Sequence, residues 1–216
     1  MIASPLDALR EMAAALEAEY AAVPICPVES ESPDGADAVW RESTALDAWR
    51  AEHHVGAPCN AIVVAVWPEQ HLSTPFTDMS PTDFARRSEW PFAAWCAALG
   101  VAASRCADGG AIVALAERPS PLDCAGWAPE SGVADAVEAL VRSLARSEGQ
   151  RGVRVNGVTT PARLAPAHTV APQPSLPSFP GRIDHEVTQA VAMLLGAGVA
   201  GVTGTVVHAD CGRSWR

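Results

Sequence analysis

Apolar residues in the first part of the chain recur at helical spacing. Pro5 suits the first position of a helix, with Ser4 as its N-cap. The apolar face that follows consists of Leu6, Leu9, Ala13 and Leu16. A strand is predicted at about 21–28 and a polar turn at 29–35. A second helix, which ends near 54–56, is predicted from an apolar face made of Val39, Leu46 and Trp49.

Later apolar runs predict strands that alternate with helices. The run AIVVAVW at 61–67 is apolar throughout, as in a parallel strand that is covered on both faces. Further strands are predicted at 111–116, at 153–158 and at about 205–209. Because helical segments separate these strands, they are expected to form a parallel sheet with right-handed crossovers.

The intervening helices have recognisable starts and ends. Ser80-Pro81-Thr82-Asp83 combines a capping serine, a proline and an acid that faces the helix dipole, so a helix is predicted from there towards Leu99. The next helix ends at Gly149, and its apolar face consists of Val133, Val137, Leu140 and Leu144. The last helix carries Val187, Val191, Leu194 and Leu195. The proline-rich stretch 161–180 is predicted to be a loop, and the whole chain, 1–216, a single domain.

Composition narrows the class of partner. Hydrophobic residues make up 49% of the chain and charged residues 19%, as in a packed globular protein. The net charge of -10 and the lack of a Lys/Arg cluster argue against nucleic acid and anionic membranes as partners. No secretion signal or long apolar run is recognised, so a cytoplasmic location is expected.

Candidate metal ligands are few. The six cysteines have neither a C-x-x-C pair nor zinc-ligand spacing, and they are expected to be reduced thiols. His53 and His54 could bind a metal, but adjacent helical side chains point in different directions. The simpler interpretation is that the two histidines interact with the C-terminal end of the helix dipole. No metal site is predicted.

Three segments carry a family resemblance. The segment ADAVEALVRSLARSEGQRGVRVNGV at 134–158 resembles the active-site helix and following strand of short-chain dehydrogenases/reductases. EVTQAVAMLLG and then VTGTVVHADCG, within 186–212, resemble the closing helix of that family and its VTG, strand and D-G-G ending. TPFTDMSPTDFARR at 74–87 resembles the loop and helix after the family's fourth strand. The resemblance implies an incomplete Rossmann-like α/β fold with flanking helices and a mostly parallel sheet of about five strands, lacking the first βαβ unit.

The same resemblance implies that the family's catalytic groups are replaced. With Arg142-Ser143-Leu144 as the anchor, the catalytic positions correspond to Glu130 for Tyr, Ala134 for Lys, Glu117 for Ser and Pro91 for Asn. The reaction needs a phenol whose pKa is lowered by a nearby ammonium. Tyr20 is the chain's one tyrosine and lies far from these positions, so no redox catalysis is expected.

The cofactor site is also expected to be lost. The chain contains no G-x-x-x-G-x-G motif, and its first helix resembles the family's second. The family's N-N-A-G, which backs the nucleotide, aligns with Val64-Ala65-Val66-Trp67, where an indole replaces a glycine and fills space that the nucleotide would need. Neither NAD(P) nor any other cofactor is therefore predicted to bind.

The resemblance implies that regions used for subunit association are retained. The expected function is a non-catalytic subunit that associates with an intact dehydrogenase or ketoreductase and stabilises it or shapes its substrate site. Association, with that partner or with a second copy, would use the helices around 80–99 and 131–148 and the C-terminal strand.

A repurposed, cofactor-independent enzyme is the alternative. Glu117 and Glu130 could act as acid and base in an isomerisation, cyclisation or dehydration, although solvated loop carboxylates are the simpler interpretation. Four tryptophans on predicted helices fit either the core or an interface: Trp40, Trp49, Trp90 and Trp95.

Overall fold

The helices and strands follow the predicted alternation. The computed structural model describes residues 5–16, 36–68, 71–164 and 176–214. The helices within these ranges are α1 (Pro5–Ala15), α2 (Ala36–His53), α3 (Pro81–Arg105), α4 (Ala128–Glu148) and α5 (Thr188–Leu195). The strands are β1 (Cys59–Val64), β2 (Cys106–Glu117), β3 (Arg154–Thr160) and β4 (Val206–His208).

The four described strands form one parallel sheet in the order β1-β2-β3-β4. This confirms the α/β class and the parallel arrangement. The register places Glu117, at the end of β2, opposite Thr160, at the end of β3, and Thr159 opposite His208 of β4. The strands therefore end at a common edge. The predicted strand at 21–28 and turn at 29–35 lie outside the described residues.

Helices cover both faces of the sheet. Side chains alternate along β2, so Ile112 and Ala114 pack with Trp95 of α3 and Val141 of α4 on one face. On the other face, Val113 and Leu115 pack with α1 and α5. The apolar contacts come from Met12 of α1, from Val191 and Leu194 of α5, and from Val187 just before α5. The unbroken apolar character of the central strand thus results from burial on both sides.

Several boundaries differ from the predictions. β1 ends at Val64 and not at Trp67, because its pairing with β2 stops at Val64, opposite Ala114. β2 begins at Cys106, five positions before the predicted start at Ala111, and α3 continues to Arg105. A π-helical turn, Ile183–Val187, precedes α5. The predicted cap of α3 is confirmed, because the Ser80 hydroxyl accepts a hydrogen bond from the Asp83 backbone N–H at 3.0 Å.

The histidine pair caps the end of α2. His53 Nδ1 lies 2.8 Å from the carbonyl oxygen of Trp49, and His54 Nδ1 lies 3.1 Å from that of Arg50. Within the described ranges, no group of three metal-binding side chains forms a metal site. The carbonyl contacts of the two imidazoles in the last turn of α2 agree with the capping interpretation.

The tryptophans divide between core and half-buried positions. Trp95 is buried in the core between α3 and the sheet. Trp49 packs against the same core and stacks on His53, with 5.1 Å between ring centroids. Trp90 is half-buried, and the Trp40 side chain lies outside the described residues. Among the helices that the structure describes, none is long and apolar enough to cross a membrane.

The close contact of β1 with β2 predicts an effect of substitution at Gly110. A Cβ there would lie 2.8 Å from the main-chain oxygens of both Ala107 and Asn60. We expect Gly110→Ala to lower the free energy of unfolding by about 1–3 kcal/mol in urea denaturation. Gly132→Ala is the matched control, since a Cβ at this α4 position meets no atom within 4 Å. It is expected to stabilise by about 0.5–1 kcal/mol. An unchanged urea midpoint for Gly110→Ala would contradict the close approach of Gly110 to the main chain of Ala107 and Asn60.

Candidate functional site

Polar side chains gather at the carboxyl edge of the sheet. Trp67 follows β1, Glu117 is the last residue of β2, Arg163 follows β3 and Asp210 follows β4. The carboxyl ends of parallel strands form the edge at which α/β proteins bind their ligands. The candidate site is therefore this edge, together with the start of α4.

Glu130, at the position that the resemblance assigns to the catalytic tyrosine, is held by Arg87 of α3. Arg87 Nε donates to Glu130 Oε1 at 2.7 Å, and Nη2 donates to Oε2 at 2.8 Å. The two side chains are only 5% and 12% exposed. Both carboxylate oxygens are thus engaged in a bidentate ion pair, the strongest geometry for these groups.

Arg87 also joins segments that are distant in sequence. Its Nη1 donates to the Thr74 hydroxyl at 3.2 Å, and its Nη2 donates to the Gly126 carbonyl oxygen at 3.4 Å. The Thr74 N–H donates to the same carbonyl oxygen at 3.0 Å. The guanidinium lies 5.8 Å from the ring centroid of Trp127. Arg87 therefore fixes the segment after β1 to the start of α4.

The two other positions that the resemblance assigns to catalytic side chains both lie on helices. Ala134, at the lysine position, is completely buried on the inner face of α4 and carries no functional group. Pro91, at the asparagine position, is buried within α3. Its ring nitrogen cannot donate to the Arg87 carbonyl one turn earlier, and it offers no side-chain amide.

Glu117 lies in a different environment from Glu130. Its side chain is 11% exposed, and its Oε2 lies 3.3 Å from Arg163 Nη1. The pKa of Glu117 is raised to about 7, chiefly by burial; the charge of Arg163 lowers it in part, and the charge of Glu130 makes a smaller contribution that raises it. Its Oε1 is buried and has no hydrogen-bond partner among the described residues.

The interpretation of Glu117 and Glu130 as solvated loop carboxylates is therefore wrong. Glu117 lies at the end of the apolar run of β2, and Glu130 lies in the first turn of α4. Both side chains are largely removed from water. Each is tolerated there because an arginine faces it, which is the usual condition for burying a carboxylate.

Arg163 connects Glu117 to Trp67. The Arg163 side chain is 8% exposed, and its Nη2 donates to the Pro68 carbonyl oxygen at 3.1 Å. Its guanidinium lies 5.1 Å from the Trp67 ring centroid, in cation–π contact. Burial lowers the pKa of Arg163, and the charge of Glu117 opposes this. The Trp67 Nε1 is buried without a hydrogen-bond partner in the described ranges.

A second buried ion pair ties the C-terminal segment to the loop before α4. Arg213 Nε and Nη2 donate to the Asp123 carboxylate at 2.8 and 3.0 Å. The guanidinium lies 5.6 Å from the ring centroid of Phe179. This pair therefore links the segment after β4 to the loop between β2 and α4.

Sequence reasoning identified the carboxylates and missed the arginines. Glu117 and Glu130 stand out because they occupy motif positions. Arg87 and Arg163 occupy no motif position, and Arg87 lies 43 residues from Glu130 along the chain. The available signal was chemical: an acid that replaces a buried tyrosine needs a cation nearby.

A parallel sheet with helices on both faces and a polar site at its carboxyl edge defines a Rossmann-like α/β protein. The family model described as enoyl-(acyl carrier protein) reductase matches residues 7–214. The chain therefore belongs to the short-chain dehydrogenase/reductase family, in the part of it that this model describes.

Solved structures of that family share the fold. An enoyl-(acyl-carrier-protein) reductase from Anaplasma phagocytophilum in complex with NAD is 20% identical; the match covers 82% of this chain and 67% of that one, with a TM-score of 0.52. A short-chain dehydrogenase/reductase from Serratia marcescens is 21% identical; the match covers 87% of this chain and 78% of that one, with a TM-score of 0.54. A blue fluorescent protein from a metagenomic library in complex with NADPH is 24% identical; the match covers 84% of this chain and 74% of that one, with a TM-score of 0.55. No curated protein matches the sequence. At these identities the likeness concerns the fold alone.

The Arg87–Glu130 pair predicts a large and coupled stability effect. Glu130→Ala leaves a buried guanidinium without its carboxylate, so we expect a loss of about 3–5 kcal/mol of unfolding free energy. The double variant Arg87→Met/Glu130→Leu should lose much less than the sum of the two single substitutions. A double-mutant cycle in urea measures this coupling.

The Arg142–Glu138 pair is the matched control. It spans 3.5 Å, and its arginine side chain is 58% exposed. Arg142→Ala should therefore cost less than about 1 kcal/mol. Equal effects at the two pairs would contradict the burial of Arg87.

The pKa of Glu117 predicts a pH-dependent stability difference. Between the ordinary value of 4.5 and about 7, the folded state holds a proton that the unfolded state has released. The stability associated with this proton is full below about 4.5 and is lost as the pH rises through about 7. The free energy of unfolding of Glu117→Gln, relative to wild type, should thus rise by roughly 3 kcal/mol between about pH 5 and pH 8.

The measurement is chemical denaturation of both proteins across this pH range. Glu89→Gln, at an exposed position of α3, is the control for loss of a carboxylate. A difference that stays constant with pH would show that Glu117 is not held in a desolvated site.

Proposed function

We propose that this chain is a non-catalytic member of its family that associates with a complete dehydrogenase or ketoreductase and stabilises it or shapes its substrate site. The Arg87–Glu130 ion pair carries the proposal, because it occupies the place of the tyrosine that would exchange the proton. Its two oxygens already accept hydrogen bonds from Arg87, and the lysine position is the buried Ala134. The described site thus offers no phenol and ammonium pair for hydride-coupled proton transfer.

The residues at the edge of the sheet also do not fit the nicotinamide cofactor that the family implies. The Anaplasma relative holds NAD and the metagenomic one holds NADPH. In this chain a half-buried indole, Trp67, follows β1 beneath the Arg163 guanidinium. The sequence contains no G-x-x-x-G-x-G turn that would cradle a pyrophosphate. We therefore assign no step to a cofactor.

The outer faces of α3 and α4 suit association with a partner. Phe84 and Phe92, two turns apart on α3, are 38% and 37% exposed. Phe76 meets Phe84 edge to face, with 6.3 Å between ring centroids. The exposed positions of α4 include the small residues Gly132, Ala139 and Ser143. Exposed aromatic side chains on α3 and small exposed residues on α4 would allow another pair of helices to approach these two helices closely.

We expect charge at this surface to disrupt the complex. In co-expression with complete family members from the same genome, the wild-type chain should co-purify with one of them. Phe84→Glu/Phe92→Glu should reduce the co-purified partner by roughly tenfold or more, since buried aromatic contacts dominate interfaces. Size-exclusion chromatography with light scattering of the chain alone reports self-association through the same face.

Val55→Glu is the matched control, because Val55 is 71% exposed and lies away from this face, after α2. It should leave the complex intact. A chain that remains monomeric with every complete family member, or a complex that tolerates the double Phe substitution, would overturn the proposed role.

A cofactor-independent enzyme is the second candidate, favoured by the raised pKa of the buried Glu117. Because Glu130 is engaged by Arg87, Glu117 would have to act alone as acid or base in an isomerisation, cyclisation or dehydration. Cofactor-free turnover by the purified chain that is lost in Glu117→Gln would replace the subunit proposal. A cytoplasmic location remains a prediction, supported by the free thiols of five described cysteines.

A further inference from the structure

Two cysteines are paired at the amino edge of the sheet, where the strands begin and opposite the candidate site. Cys59 is the first residue of β1, Cys106 is the first residue of β2, and the two are partners in the parallel ladder. Both are free thiols; Cys59 is half-buried and Cys106 is 1% exposed. Neighbouring strands lie about 4.8 Å apart, and a disulfide spans about 4.4–6.8 Å between Cα atoms. The spacing of the main chains therefore suits a disulfide between these two residues.

An irregularity in β2 brings the Cys106 sulfur close to the main chain that follows Cys59. After the Cys59–Cys106 pair, the pairing on β2 resumes only at Ala111, so β2 bulges between these positions. Both the Cys106 Sγ and the Asn60 carbonyl oxygen lie within 2.8 Å of the place that a Cβ on Gly110 would occupy. The Cys106 sulfur therefore lies next to the start of β1.

Arginines lie beside both cysteines. The Ala57 carbonyl oxygen accepts from the Cys59 Sγ at 3.7 Å and from Arg105 Nε at 3.2 Å. One guanidinium is thus close to the Cys59 sulfur. Arg151 Nη2 donates to the Cys106 carbonyl oxygen. Reactive cysteines in proteins are partly exposed and lie next to such cations. Of the two residues, Cys59 has the exposure that a reagent from solvent requires.

Cys106 has the properties of a thiol that reacts second. Burial raises the pKa of its thiol, the charge of Arg151 lowers it, and the charge of Cys59 raises it. Charge effects weaken with distance, so the two cysteines act on each other as neighbours. Because the Cys106 thiol is shielded from solvent, we expect it to react with the Cys59 sulfur and not with a dissolved reagent.

We propose that Cys59 and Cys106 form a reversible disulfide, with a low-molecular-weight disulfide such as oxidised glutathione as the oxidant. The Cys59 thiolate attacks one sulfur of the oxidant, which forms a mixed disulfide and releases one glutathione thiol. The Cys106 thiol then gives its proton to solvent and attacks the Cys59 sulfur, which releases the second glutathione. The cysteine pair loses two electrons and two protons, and the oxidant is reduced to two thiols.

The disulfide would link two joints of the fold. One joint is the connection from α2 to β1, and the other is the direct passage from α3 into β2. In a reducing compartment both cysteines stay as thiols, and the bond forms when oxidised thiols accumulate. The site lies away from the outer faces of α3 and α4 that the subunit role uses, and it does not rest on that role.

Peptide mapping after oxidation tests the pair directly. The folded, full chain is incubated with oxidised glutathione, the remaining thiols are blocked, and the protein is cleaved after arginine and glutamate. These cleavages place each of the six cysteines in a separate peptide. The expected product joins the Cys59 and Cys106 peptides, with a mass two hydrogens below their sum as thiols. Dithiothreitol should remove it.

A substitution separates the two steps of the reaction. Cys106→Ala should stop at the first step, so that glutathione remains attached to Cys59. In wild type this adduct should be roughly tenfold or more less abundant, because the neighbouring thiol acts at a high effective concentration. Cys124→Ser is the matched control, since Cys124 is an exposed cysteine in the loop before α4. It should leave the Cys59–Cys106 product unchanged.

Four outcomes would overturn the proposal. Cys59 could stay a free thiol in an excess of oxidised glutathione, or keep its glutathione adduct in wild type as it does in Cys106→Ala. Cys59 could join Cys96 or Cys124 as readily as Cys106. The Cys59–Cys106 product could also form no faster in the folded protein than in urea, which would show that the fold does not bring the two thiols together. If Cys106→Ala fails to fold, the wild-type peptide map and the comparison with urea still decide.

Discussion

The bidentate ion pair between Arg87 and Glu130 is the interaction on which the carboxyl edge of this protein depends. It unites α3, the start of α4 and the segment after β1 through one buried guanidinium. A buried cation requires its counter-ion, so these elements are fixed relative to each other. In the proposed non-catalytic role, this ion pair stands at the position that the resemblance assigns to the catalytic tyrosine.

A second arginine gives the neighbouring strand end a different character. Arg163 pairs with Glu117 through one oxygen only, and the other oxygen has no described partner. Burial raises the pKa of Glu117 to about 7, whereas Glu130 is engaged at both oxygens. The two buried carboxylates of this edge thus differ: Glu130 is held at both oxygens, and Glu117 is held at one.

Periodicity and capping predicted most of the fold, because each depends on neighbouring residues. The Ser80 cap of α3 and the apolar run of β2 are local signals, and both were found. The early end of β1 depends on where its pairing with β2 stops, which the apolar run alone does not indicate. At the site, motif positions identified Glu117 and Glu130 but not their burial, because Arg87 and Arg163 are brought to them only by tertiary structure.

We propose that fixed ion pairs and a role in association replace nicotinamide-dependent chemistry at this edge. Calorimetric titration of the purified chain with NADPH tests it most directly, because cofactor binding must precede any hydride transfer. The account predicts no saturable heat of binding. Saturable binding of NADPH, followed by its oxidation in the presence of a ketone, would contradict it.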